Sequence, residues 1–159
     1  MTAHTTQDLS AALVQEAELV EQFVDVLLQE SELLNGVDTL LELNQIAEKK
    51  QIFADRLEDC AKRRGELFQS LDLSGNTPDS PSEAALEHAD IKAGWERLMT
   101  AAGKAAEQNR HNGIIINVHR QYVDDSLAAM RKAQRSNQLY DAQGKTKAIR
   151  QRRPGQVAG

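Results

Sequence analysis

The chain has 159 residues and a net charge of −5, with 27% charged and 40% apolar side chains. No apolar run approaches the roughly 20 residues that a transmembrane helix needs, and the lone cysteine, Cys60, excludes an internal disulfide framework and any multi-cysteine metal site. Residues 1–10 hold no basic stretch followed by an apolar core, so no secretory signal is expected and a reducing cytoplasm is the expected location.

Alanine, leucine, glutamate, lysine and arginine dominate, and prolines occur only at Pro78, Pro81 and Pro154. Two long stretches therefore lack a helix breaker, and the composition predicts an all-α protein. The only β-branched run, Ile114 to Val118, has no second strand to pair with. The charge is unevenly distributed: −10 over residues 1–60, −2 over 61–130 and +7 over 131–159. The basic end reads either as a solvated tail or as a segment attracted to the acidic front or to a partner.

The first predicted helix spans about 7–34. Leu13, Val20, Leu27 and Leu34 repeat every seven residues, and Leu9, Phe23 and Leu28 widen the stripe. Thr6 or Asp8 is the expected cap, and Asn35-Gly36 the stop signal. The second predicted helix spans about 38–71, with Ile46, Phe53, Cys60 and Leu67 on one heptad position and Leu43, Leu57 and Leu71 on another. Lys50 and Arg64 interrupt that second set, and the expectation is that their stems lie along the groove with the charges in water. The short Asn35-Gly36 turn makes the two helices antiparallel.

Residues 72–82 combine Gly75, Asn76, Pro78, Pro81 and several serines, a loop by local criteria. Ser82 with Glu83 looks like a capped start for a third helix over about 82–137. Steps of three and four from Ile91 pass through Trp95, Leu98, Ala102, Ala105, Asn109, Asn112, Ile116, His119, Val123, Ser126 and Met130 without losing phase. That unbroken phase favours a helix continuing through Asn112-Gly113, despite the turn signal and a glycine cost of about 1 kcal/mol. Asn109 and Asn112 then fall in the seam, where paired asparagines can fix helix alignment. His119 reads as a hydrogen-bonded core histidine.

A second apolar stripe, Ile115, Val118 and Tyr122 with Ile114 beside it, accompanies the seam. Either the helix is buried on both sides by its own bundle, or one face is left for a partner. After Asn137 the pattern stops, which divides the chain into a bundle over 1–137 and a flexible basic C-terminal tail over 138–159. The architecture expected is three long helices in an antiparallel, coiled-coil-like bundle.

No catalytic constellation emerges. The four histidines lack metal-ligand spacing, no His follows a Glu by three residues, and no Gly-rich phosphate loop is present. Cys60 sits in a heptad stripe and reads as packed rather than nucleophilic. No cofactor, metal or enzymatic activity is expected. The basic run from Lys145 to Arg153 lacks interleaved aromatics, so nucleic acid is not an expected partner.

Asn109-Arg-His-Asn112-Gly113, with Trp95 upstream and Leu139-Tyr140-Asp-Ala-Gln-Gly144 downstream, resembles the flagellar export chaperones of the FlgN family. The resemblance spans essentially the whole chain, and the long basic tail after Gly144 has no clear place in the family pattern. It implies a cytoplasmic type III secretion chaperone that holds the hook–filament junction proteins FlgK and FlgL before export. It further implies that Tyr140 and Gly144, with Leu139 beside them, match a motif that docks on the export-gate protein FlhA. Cargo is expected on the apolar residues of the third helix, namely Ile114, Ile115, Val118, Tyr122, Val123, Leu127 and Met130. The competing reading is a generic coiled-coil self-assembly or adaptor protein, and the sequence leaves a homo-oligomer open.

Overall fold

In a computed structural model, the backbone is described for residues 3–152 and side chains for residues 3–139. Among the described residues there are three long helices and one short one: α1 Thr6–Leu34, α2 Leu40–Ser70, α3 Glu83–Leu86 and α4 Ala89–Arg152. The all-α expectation holds, and α4 passes through Asn112 and Gly113 without a break. The chain divides after Ile115 into two units.

Within the first unit, α1 starts on a reciprocal cap one residue earlier than the sequence suggests. The Thr5 hydroxyl accepts from the Asp8 amide at 3.2 Å, and the Asp8 carboxylate accepts from the Thr5 amide at 2.7 Å. Asp8 thus serves as the reciprocal partner of the cap, three residues on, rather than the cap itself. The backbone hydrogen bond from Thr5 holds its carboxyl below the usual range.

The turn between α1 and α2 is closed by several short bonds. Asn35 donates its side-chain amide to the Ser31 carbonyl at 3.0 Å, and the Thr39 hydroxyl donates to the Leu33 carbonyl at 2.8 Å. Asp38 takes a left-handed φ of 57°, a conformation that Asp tolerates better than most residues. The loop after α2 folds on itself through a bridge between Ser74 and Pro81. A β-carbon at Gly75 would collide with the Pro81 carbonyl oxygen, so only glycine fits there.

The third predicted helix differs at both ends. Ser82 does cap a helix, its hydroxyl accepting from the Ala85 amide at 3.2 Å, but that helix is the four-residue α3. Tighter bonds from Glu87 to Ala84 and from His88 to Ala85 close it before α4 begins. At the other end helical backbone runs to Arg152, past the expected stop near 137. Periodicity ends there, but Gln, Ala, Lys and Arg are strong helix formers without needing an apolar face. The expected flexible tail over 138–159 falls largely outside the residues whose side chains are described.

Up to Ile115, α4 runs parallel to α1 and antiparallel to α2. Leu13 lies against Gly94, Glu21 pairs with Arg97, and Leu27 meets Asn112, so the numbering rises together on α1 and α4. A β-carbon built on Gly94 would lie 3.0 Å from that of Leu13, which marks a close helix–helix approach. The core is formed by Leu9, Leu13, Leu27, Leu67, Phe68, Ile91 and Leu98, all essentially inaccessible. Each such side chain contributes about 1.5–3 kcal/mol relative to an exposed position. Phe68 meets Trp95 edge-on at 6.2 Å, and Phe23 stacks on Phe53 at 5.9 Å.

Gly113 has no packing reason to be glycine, since nothing lies within 4 Å of a β-carbon built there. Gly113→Ala is therefore expected to raise the unfolding free energy by up to about 1 kcal/mol in chemical denaturation. A loss of stability would mean that the helix needs glycine at this point.

Candidate functional site

The asparagine motif of α4 is a polar clamp inside the first unit. Asn112 is completely buried. Its amide donates to the Leu27 carbonyl at 2.7 Å and to Glu30 Oε1 at 2.9 Å, while its oxygen accepts from Gln108 at 2.9 Å. Glu30, itself buried, also receives Lys50 Nζ at 3.1 Å, and the same ammonium reaches Asn109 Oδ1 at 3.4 Å. One connected network therefore ties α1, α2 and α4, with every member hydrogen-bonded. Asn109 differs from its expected place in the seam: it is exposed and acts from the rim, through Lys50.

Arg64 has the equivalent role farther along α2. Its guanidinium pairs with the buried Glu16, donates to the Asp79 carbonyl at 3.0 Å, and lies 5.7 Å from the centre of the Trp95 ring. The second oxygen of Glu16 is buried without a hydrogen-bond partner. The expectation that Lys50 and Arg64 hold their charges in water is thus overturned. A buried carboxylate on α1 faces each of them, and pairing is what makes burial of those carboxylates tolerable. The Thr77 hydroxyl, with Arg64 as a further contributor, holds the Asp79 carboxyl below its usual range. Cys60 is half-buried, and that burial pushes its thiol up, away from the thiolate form.

The expected cargo residues fall on either side of the division after Ile115. In the first unit Ile114 is exposed and Ile115 half-buried. In the second, Val118, Tyr122, Val123, Leu127 and Met130 are all exposed, Val118 at 59% and Tyr122 at 73%. Both apolar stripes are therefore open along this stretch. Of the seam positions, Val123 and Met130 are exposed and Ile116 and Ser126 half-buried, and His119 is exposed rather than a core histidine. Within the second unit the seam positions Val123 and Met130 are exposed, as is Leu127 beside them. Leu139 is exposed too, whereas the Tyr140 and Gly144 positions lie outside the residues whose side chains are described.

Among the described residues no group of three His, Cys, Asp or Glu side chains could hold a metal ion. Among them also, no helix is long and apolar enough to cross a membrane. What the site offers is a contact surface: a rigidly clamped bundle and a helix that carries bare aliphatic and aromatic groups at helical spacing.

Comparison with protein families finds a match to the FlgN protein family over residues 1–148. The chain belongs to the FlgN family. FlgN proteins are flagellar export chaperones, which gives this chain a role in flagellum assembly and protein export. Comparisons with curated proteins and with solved structures find no match. In this FlgN protein the paired asparagines have a structural duty, and the large exposed apolar groups lie beyond them.

Asn112→Ala is expected to lower the unfolding free energy by about 2 kcal/mol, because Glu30 loses an amide donor inside the core. Asn112→Asp should cost more near neutral pH, where two carboxylates would face each other. Mutual repulsion raises the pKa of such a pair in the folded state, so the deficit is full above the carboxylate range and shrinks as pH falls toward about 4. Denaturation curves across that range read the difference, and a pH-independent deficit would contradict the clamp.

Proposed function

We propose that this FlgN protein is a cytoplasmic chaperone of the flagellar type III export pathway that holds the hook–filament junction proteins FlgK and FlgL and delivers them to the export-gate protein FlhA. The observation that carries the reading is the uncovered apolar surface of α4 after Gly113, above all Val118, Tyr122, Val123, Leu127 and Met130. Aliphatic and aromatic groups at this spacing suit a cargo helix laid along α4 by its own apolar face, the helix-in-groove mode of recognition. Ile114 and Ile115, in the first unit, are the further cargo positions on this reading.

Binding in this mode covers the cargo's assembly surface without chemistry, so no cofactor enters. The chaperone's role is to bind an aggregation-prone helix tightly enough to prevent assembly and loosely enough to release it at the gate. Leu139, Tyr140 and Gly144 form the gate-docking motif on this reading, with Tyr140 as the anchor. Tyrosine combines a large contact area with one hydrogen-bonding tip and few rotatable bonds. The basic run from Lys145 to Arg153 follows that anchor in the chain.

Val118→Ser combined with Tyr122→Ser removes exposed groups only. It should leave helicity and the denaturation midpoint unchanged while weakening binding of purified FlgK and FlgL by at least about ten-fold, or 1.4 kcal/mol, in calorimetric titration. Unchanged cargo affinity would reject the cargo surface. A concentration-dependent homodimer abolished by the same substitutions, with no cargo complex, would instead favour the self-assembly reading.

Tyr140→Ala should retain cargo binding and melting temperature but lose affinity for the cytoplasmic domain of FlhA. The measurement belongs at moderate salt, so that the basic tail does not mask the effect. Gate affinity equal to that of the unaltered chain would remove Tyr140 from the mechanism.

A further inference from the structure

The turn end of the α1–α2 hairpin, within the first unit, carries an exposed apolar group of its own. Val37, Leu40 and Leu41 lie within five residues of one another and are 88%, 73% and 68% exposed. Large aliphatics at such exposure occur singly on most surfaces, and three together at one tip form a patch. The tip is also held in shape. The Asn35 and Thr39 side chains bond back to the Ser31 and Leu33 carbonyls, and the Gly36 amide donates to the Leu33 carbonyl at 3.1 Å. The patch is therefore presented by a fixed turn and costs little ordering when it is bound.

Its surroundings are predominantly acidic, with Lys49 the one cation lining a groove beside Glu32 and Glu42. Glu32, Asp38 and Glu42 flank the three aliphatics and are exposed, and from Leu28 onward the first cation in the chain is Lys49. An apolar centre with an acidic rim selects its occupant by charge. Two copies meeting tip to tip would bring like carboxylates together, and an anionic membrane surface would repel the same groups. A helix whose apolar face is bordered by Lys or Arg satisfies both requirements at once.

We propose that the hairpin tip formed by Val37, Leu40 and Leu41 is a docking site for a basic amphipathic helix of a partner protein. The aliphatic groups supply the contact area, and Glu32, Asp38 and Glu42 steer and orient the bound helix. The turn that presents the site is closed by its own hydrogen bonds.

The test uses the full chain and a synthetic amphipathic helix built from Leu and Lys, with a matched peptide carrying Glu in place of Lys. The Lys peptide should bind and the Glu peptide should not, and added salt should weaken the complex. Combined Val37→Ser, Leu40→Ser and Leu41→Ser should reduce affinity by at least about ten-fold with the circular dichroism spectrum unchanged. Glu32→Gln with Asp38→Asn and Glu42→Gln, which leaves the apolar groups in place, should reduce it as well. Val118→Ser with Tyr122→Ser should leave it intact, which separates failure here from failure of the cargo reading. The proposal is overturned if the Lys peptide does not bind, if the serine variant binds it normally, or if the Glu peptide binds equally well. A homodimer lost in the serine variant would assign the tip to a second copy, and serine-sensitive binding to anionic phosphatidylglycerol vesicles would assign it to a membrane; either result overturns the partner helix. So would about ten-fold tighter peptide binding after Lys145, Lys147, Arg150, Arg152 and Arg153 are all changed to Gln, since the chain's own basic end would then be the occupant.

Discussion

Two carboxylates on the buried face of α1, Glu16 and Glu30, fix the alignment of the helices around them. Apolar heptads leave the register of an antiparallel pair ambiguous, because a slip of seven residues replaces one apolar layer with another. Glu16 pairs with Arg64 and Glu30 with Lys50, and on each helix the two partners are fourteen residues apart. A slip of one heptad would bring Leu57 or Leu71 opposite Glu16, and Leu43 or Leu57 opposite Glu30. A carboxylate left buried without its cation costs about 3–5 kcal/mol, comparable to a large fraction of a small domain's stability. The residues that break the apolar pattern of α2 are therefore the ones that make the hairpin unique.

The same carboxylates position α4. Asn112 can donate to Glu30 and to the Leu27 carbonyl only when α4 is at one height along α1, so alignment set between α1 and α2 is passed to the third helix. Arg64 does the equivalent at the other end, through the Trp95 ring and the Asp79 carbonyl. The hydrophobic core supplies most of the stabilisation and little of this selectivity, since methylene contacts are nearly interchangeable between layers. Four residues after Glu30, α1 ends at Leu34, whereas the apolar phase of α4 continues through Val123 and Met130. The apolar groups of that continued phase are exposed within the second unit.

Much of this is legible in the sequence, and what is not has identifiable physical causes. Heptads of Leu13, Val20, Leu27 and Leu34, and the unbroken phase through Gly113, locate α1 and the passage of α4, because periodicity records burial directly. The asparagine motif is visible, but its two members separate in the structure: periodicity puts both in the seam, while Lys50 draws Asn109 to the rim. The ion pairs escape a reading by periodicity, although equal fourteen-residue spacing of Glu16 and Glu30, and of Lys50 and Arg64, is present as a signal. Periodicity treats a charge in a stripe as a fault unless its partner on the neighbouring helix is considered too. The break at Glu87 and His88 has no proline or glycine to announce it. The exposed tip at Val37, Leu40 and Leu41 is hidden because an apolar residue in a helical pattern is read as core by default.

Exposed apolar surface is a liability for any protein at cellular concentration, and the sequence around it contains a countermeasure. Arg120, Asp124 and Asp125 are interspersed with Val118, Tyr122, Val123, Leu127 and Met130, and Arg131, Lys132 and Arg135 follow them. Charges of both signs on one short stretch raise the desolvation cost of indiscriminate apolar contact, and they reward only a partner whose charges match theirs in position. On the proposed reading, that arrangement lets the chaperone keep its cargo surface open in the absence of cargo. Aliphatic area then provides affinity while the mixed charges reject most competitors. Within the first unit, Asn112, Glu30 and Lys50 hold that part of α4 in one alignment with α1 and α2.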